Sequence, residues 1–97
     1  MKVYGQDKLV ACWDRHADAR KPLVAWLNEA RASVWHSPAE IRRRFASASF
    51  LAGGRVVFNI KGNRYRLVVI VVYQREAMIV RFAGTHAEYD DIDAEVI

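Results

Sequence analysis

Two short stretches hold most of the residues that could do chemistry: FNIKGNRYRL at 58–67 and RFAGTHAEYD at 81–90. The first carries Asn59, Lys61, Asn63, Arg64 and Arg66 around a Gly62–Asn63 pair. The second carries Arg81, His86 and Tyr89. Arginine grips phosphate through forked, charge-assisted hydrogen bonds and stays charged at any working pH. Imidazole exchanges a proton near neutrality, whereas a phenol acts as a base only where cations depress its pKa. Phosphate clamps beside a proton donor and acceptor suit cleavage of an RNA strand by its own 2′-hydroxyl. One group removes the 2′ proton, an arginine stabilises the charge growing on the phosphorane, and another group protonates the departing 5′ oxygen.

The elements that must position these residues follow from turn chemistry and alternation. Gly62–Asn63 reads as a two-residue hairpin turn. In that register Lys61 faces Arg64, Ile60 faces Tyr65 and Asn59 faces Arg66, so Asn59, Lys61, Arg64 and Arg66 share one face of a sheet. A second turn at Arg75–Glu76 would set Val72 against Ile79, Ile70 against Arg81 and Arg66 against Thr85. Arg81 would then join that face, and a one-residue change in the loop would turn it away. Thr85 with Glu88 forms a capping box that starts a terminal helix, with His86 in its first turn and Tyr89 on the same side. Five carboxylates are expected in that helix. The plainer alternative pairs each cation of the patch with one of them.

The rest of the chain supplies the frame. Runs at 55–60, 64–73 and about 78–83 are β-branched or aromatic, and the middle run is apolar on both faces beyond Leu67, as a covered central strand requires. The first half reads as helix. After a short strand at Lys2–Tyr4, a helix is expected over about 7–17 and another over 22–35, where Leu23, Trp26, Leu27, Ala30 and Val34 mark one face and Pro22 sits in the first turn. Ser37, Pro38 and Glu40 announce a third, short helix with a capping box, carrying Arg42, Arg43 and Arg44. These three arginines are either an exposed helix face or a second, looser basic surface. The expected class is α+β in one domain: N-terminal helices packed on a twisted, mostly antiparallel sheet of three to four strands, with a short C-terminal helix.

Composition narrows the function. The net charge is +4, but all fifteen Lys and Arg lie in residues 1–81; residues 1–87 hold fifteen positive against six negative side chains, giving +9. A domain that basic attracts polyanions, nucleic acid first among them. The longest apolar run, LVVIVVY at 67–73, is far short of the ~20 residues of a spanning helix, and no secretory leader is visible, so a soluble protein is expected. Cys12 alone cannot form an internal disulfide, fits a reducing cytosol and reads as a small core residue. No metal is implied: His16, His36 and His86 are far apart, and HExxH and paired cysteines are absent. His16 and His36 are expected on the surface at helix ends. No P-loop, GxGxxG or GxSxG occurs, and Ser47 and Ser49 read as loop residues. Trp13, Trp26 and Trp35 are expected to pack the core and helices.

The hairpin FNIKGNRYRLVVIVVY followed by IVRFAGTHAEYDDI resembles the HigB toxins of type II toxin–antitoxin modules, which belong to the RelE-like family of messenger-RNA endonucleases. The resemblance spans essentially the whole chain and is strongest from Phe58 to Asp91. It implies helices packed on a twisted sheet whose other face binds RNA. It further implies cleavage of messenger RNA in the ribosomal A site without metal or cofactor, in the cytoplasm and away from membranes. The implied partner is a HigA-type helix-turn-helix antitoxin, through which alone the complex would reach operator DNA. By position, Arg66 and Arg81 resemble the phosphate-stabilising arginines and Tyr89 the terminal-helix tyrosine placed against RNA. Lys61 and Asn63 belong to the hairpin motif, as contacts to RNA backbone or base. His86 stands in the motif THxEY as acid or base, with the division among His86, Tyr89 and Lys61 open. Asn59 and Arg64 complete the expected RNA-binding set. The alternative is an RNA- or ribosome-binding module without catalysis.

Overall fold

The computed structural model describes all 97 residues. Five strands form one mixed sheet: β1 (Lys2–Tyr4), β2 (Ser49–Phe50), β3 (Arg55–Ile60), β4 (Tyr65–Val72) and β5 (Ala77–Thr85), in the order β1-β5-β4-β3-β2. β1 runs parallel to β5 and all other neighbours are antiparallel. The expected class holds, with one strand more than expected. The addition is β2, whose two residues, Ser49 included, lie in the segment read as loop; a pair so short leaves no periodic signal.

Three helices cover one face: α1 (Gln6–Arg15), α2 (Arg20–Ala32) and α3 (Pro38–Arg44). α2 starts two residues before the expected bound and stops at Ala32, because Ser33 is extended and its hydroxyl donates to the Glu29 carbonyl at 2.8 Å. Val34 is therefore off the helix and exposed, while Leu23, Trp26, Leu27 and Ala30 are buried as the spacing predicts. Ser37 caps α3 by accepting from the Glu40 N–H, with Pro38 in the first turn. The Glu40 carboxylate does not close a capping box; it lies 3.4 Å from His36 instead.

The core forms where Leu9, Cys12, Leu23, Trp26 and Ile41 meet Phe58, Leu67, Val69, Met78 and Val80 from the sheet. Each such side chain contributes about 1.5–3 kcal/mol on leaving water, which outweighs any one turn or cap. Cys12 is fully buried, and burial pushes its thiol pKa up, so it is packing rather than a nucleophile. Gly5 joins β1 to α1 at φ +80°, and a Cβ there would sit 2.7 Å from the Val80 carbonyl, so only glycine lets this corner close on β5.

β4 is central and covered on both faces, as its composition predicts. Its second cover is the C-terminal segment: Ala94 is buried against Val57 and Val68, with Leu51, Phe82, Tyr89 and Ile97 around it. Arg55 fastens the segment by donating from Nε and Nη2 to the Ile97 carbonyl at 2.9 and 2.7 Å. α4 (His86–Asp90) is only five residues long, so Asp91, Asp93 and Glu95 lie beyond the helix expected to contain them.

Candidate active site

The first hairpin keeps its predicted ladder, with Asn59 opposite Arg66 and Ile60 opposite Tyr65. The ladder ends there. Residues 61–64 form the turn, and Lys61 adopts φ +54° and Gly62 φ +66°. Because alternation stops at Ile60, Lys61 and Arg64 are not on the face of Arg66. Both reach Asp18, in the turn between α1 and α2: Lys61 Nζ lies 2.9 Å and Arg64 Nη1 3.4 Å from Asp18 Oδ2. Tyr65, on the helix-covered face, donates a short hydrogen bond to Asp18 Oδ1. The four-residue patch of the sequence reading is thus split across the hairpin tip.

The second hairpin departs from its expected register for two reasons. Glu76 takes the left-handed conformation at φ +52°, which brings Val72 opposite Ala77 and Ile70 opposite Ile79. A β-bulge at Arg81 then shifts the register by one, so that Val68 faces Phe82 and Arg66 faces Gly84 rather than Thr85. Arg81 itself is the exposed extra residue, with no side-chain hydrogen bond or ion pair.

Beyond the bulge, the Thr85–Glu88 capping box forms as the sequence predicts, and the His86 N–H donates to the Arg64 carbonyl at 3.2 Å. This launches α4 across the edge of Arg66. Arg66 Nη2 lies 3.0 Å from His86 Nε2 and 3.3 Å from Asn63 Oδ1, and its Cζ lies 4.9 Å from the Tyr89 ring centroid. Asp90, one turn on, places Oδ2 3.3 Å from His86 Nδ1. Arginine can only donate, so His86 Nε2 accepts; the proton of the neutral ring is then on Nδ1 and points at Asp90. Arg66 has no carboxylate partner, and its Nε is shut from solvent with nothing to bond. Asn59, its cross-strand neighbour, donates from Nδ2 to the Ser47 carbonyl at 3.2 Å, and its Oδ1 is likewise closed off and unpartnered.

Five of the eight predicted residues therefore meet on one face: Asn59, Asn63, Arg66, His86 and Tyr89. Lys61 and Arg64 are across the tip, and Arg81 stands apart at the bulge. Asp90 was missed although its i, i+4 spacing from His86 was readable in the sequence. Glu88 was read only as a cap, yet its carboxylate also takes His16 Nε2 at 3.2 Å and lies 3.5 Å from Arg15. His16, expected on the surface, is half-buried by that contact and packs near Tyr65. The backbone N–H of Thr85 chiefly holds the Glu88 carboxyl below its usual range, with Thr85, Arg15 and His16 side chains helping against burial. Nowhere do three or more His, Cys, Asp or Glu side chains converge as a metal-ligand set does.

Asp18 links charge to stability. Its carboxyl is held down to about 2, first by the hydrogen bond from Tyr65 and then by that from Lys61; the Tyr65 hydroxyl is pushed up to about 12, chiefly by the same bond. Folding thus lowers the Asp18 pKa, so its contribution is complete above about pH 3.8 and fades as the pH falls to about 2. Between those values the urea midpoint of the wild type is expected to drop more steeply than that of Asp18→Asn, which has no carboxylate to protonate. Parallel declines would rule the contact out as a source of acid sensitivity.

A family model described as HigB_toxin, RelE-like toxic component of a toxin-antitoxin system, matches residues 19–92, a span that includes the whole Arg66 cluster. No curated protein matches the chain. No helix is long and apolar enough to cross a membrane.

Proposed function

The chain belongs to the HigB toxin family, RelE-like toxic components of toxin–antitoxin systems, and from that premise we propose that it is a ribosome-dependent endoribonuclease that cuts messenger RNA. The observation that carries the reading is Arg66: a half-buried guanidinium, free of any carboxylate, wedged among an imidazole, a phenol ring and an amide. A cation so held is ready for a phosphate.

In the free protein Arg66 Nη2 occupies His86 Nε2. A scissile phosphate drawing Arg66 onto its oxygens releases that nitrogen, which then takes the proton of the 2′-hydroxyl. The imidazolium formed is stabilised by Asp90 at Nδ1. Arg66, braced over the Tyr89 ring, meets the charge building on the phosphorane. Tyr89 is the remaining hydroxyl of the cluster and protonates the departing 5′ oxygen. Asn63 and Asn59 hold the RNA backbone or base beside it. Lys61, engaged by Asp18, and Arg81, at the bulge, take no part in proton transfer and serve RNA binding.

Membership of the family brings an antitoxin as partner. We take it to be of the HigA type, with operator DNA reached only through it, and the site of action to be the A site of cytoplasmic ribosomes. The test is primer-extension mapping of one messenger incubated with the protein, free and loaded on ribosomes. Cuts confined to the ribosome-loaded messenger are expected. Binding to ribosomes with no cuts in either condition would replace this reading by a non-catalytic ribosome-binding module.

A further inference from the structure

The cations that left the Arg66 face gather around a groove of their own. It is lined by Ala17, Asp18, Arg20, Lys21, Pro22 and Lys61, with Arg64 reaching the same Asp18 oxygen as Lys61. Arg20 and Lys21 also line a second depression along α2, with Val24, Ala25 and Asn28, so the surface is one continuous track from the hairpin tip down the helix. Four cations surround one carboxylate. Arg20 and Lys21 have no ion pair, and both stand in the first turn of α2, where the helix dipole disfavours positive charge.

We propose that this groove is a second site for RNA backbone, in which Asp18 holds the place of a phosphate in the free protein and gives up Lys61 and Arg64 when a phosphodiester arrives. The inference rests on the chain's being an RNA-binding protein, but not on its cutting RNA. Asp18 accepts from three donors at once, two of them cations, as a phosphate does. The turn between the two sites is exposed, and nothing lies within 4 Å of a Cβ added to Gly62. A single strand can therefore pass over the tip from Arg66 to Lys61. Continuity with the Arg66 face over the exposed tip favours a nucleic-acid strand over an acidic protein segment, because one phosphodiester chain can reach both sets of cations.

The experiment measures salt-dependent binding of a short 2′-O-methyl RNA, which cannot be cleaved, to the full chain. Asp18→Asn removes the competing charge yet keeps an acceptor for Tyr65. It is expected to bind several-fold tighter, with a salt slope steeper by about 0.7 for each cation released. The double substitution Arg20→Ala, Lys21→Ala is expected to bind weaker, with a slope shallower by about 1.4. Circular dichroism and thermal midpoints check that both fold. Unchanged affinity and slope in the double variant would overturn the proposal, as would an effect seen with poly-glutamate but not with RNA.

Vacant ribosomes serve as a second ligand. Effects on free RNA alone assign the groove to the messenger strand, and effects on ribosomes alone assign it to ribosomal RNA; both support a phosphodiester site. If wild type never cuts but these shifts appear, the endonuclease reading falls and the groove stands. If ribosomal cutting is intact and the shifts are absent, the groove alone falls.

Discussion

Arg66→Ala is expected to lower cleavage of ribosome-loaded messenger by roughly 10²–10³-fold, the usual cost of deleting a positioned donor to transition-state charge. The loss should fall on turnover more than on affinity, because other cations continue to hold the RNA backbone. Structure should survive: the stacking of Arg66 on Tyr89 contributes only about 0.5–1 kcal/mol at a half-exposed site, and no carboxylate is left unpaired. Arg66→Lys is the informative companion. It keeps the charge but loses the planar fork that grips two phosphate oxygens at once, so it should recover only a small part of the rate. Primer extension on a time course reads both variants. Alanine cutting within about threefold of wild type would remove Arg66 from the reaction.

What could be read beforehand divides along physical lines. The β3–β4 ladder was legible because alternation and a glycine-bearing turn both point to one register. The Thr85–Glu88 box was legible because capping is chemistry local to four residues. The β4–β5 register was not. It depends on a left-handed Glu76 and a bulge at Arg81, and neither residue type announces those conformations. Lys61 misled for the same reason, since a lysine at positive φ breaks the alternation that placed it beside Arg66. Its partner Asp18 lies 43 residues away, and no spacing rule joins them. The site survived these errors because Arg66 and His86 are tied to each other by the parts that were read correctly: the hairpin on one side and the capping box on the other.

The same tie makes His86 the sharper test of chemistry. His86→Gln can still accept from Arg66, so the cluster should keep its shape, but an amide cannot carry a proton. A drop of about 10²–10⁴-fold in turnover is expected, with affinity for uncleavable RNA retained. Asp90→Asn should fall between wild type and His86→Gln, since asparagine can accept from Nδ1 but brings no charge to the imidazolium. A glutamine variant that cuts at the wild-type rate would move the proton to another group. Tyr89 would then be the next residue to replace, since its hydroxyl can give or take a proton and its ring already lies against Arg66.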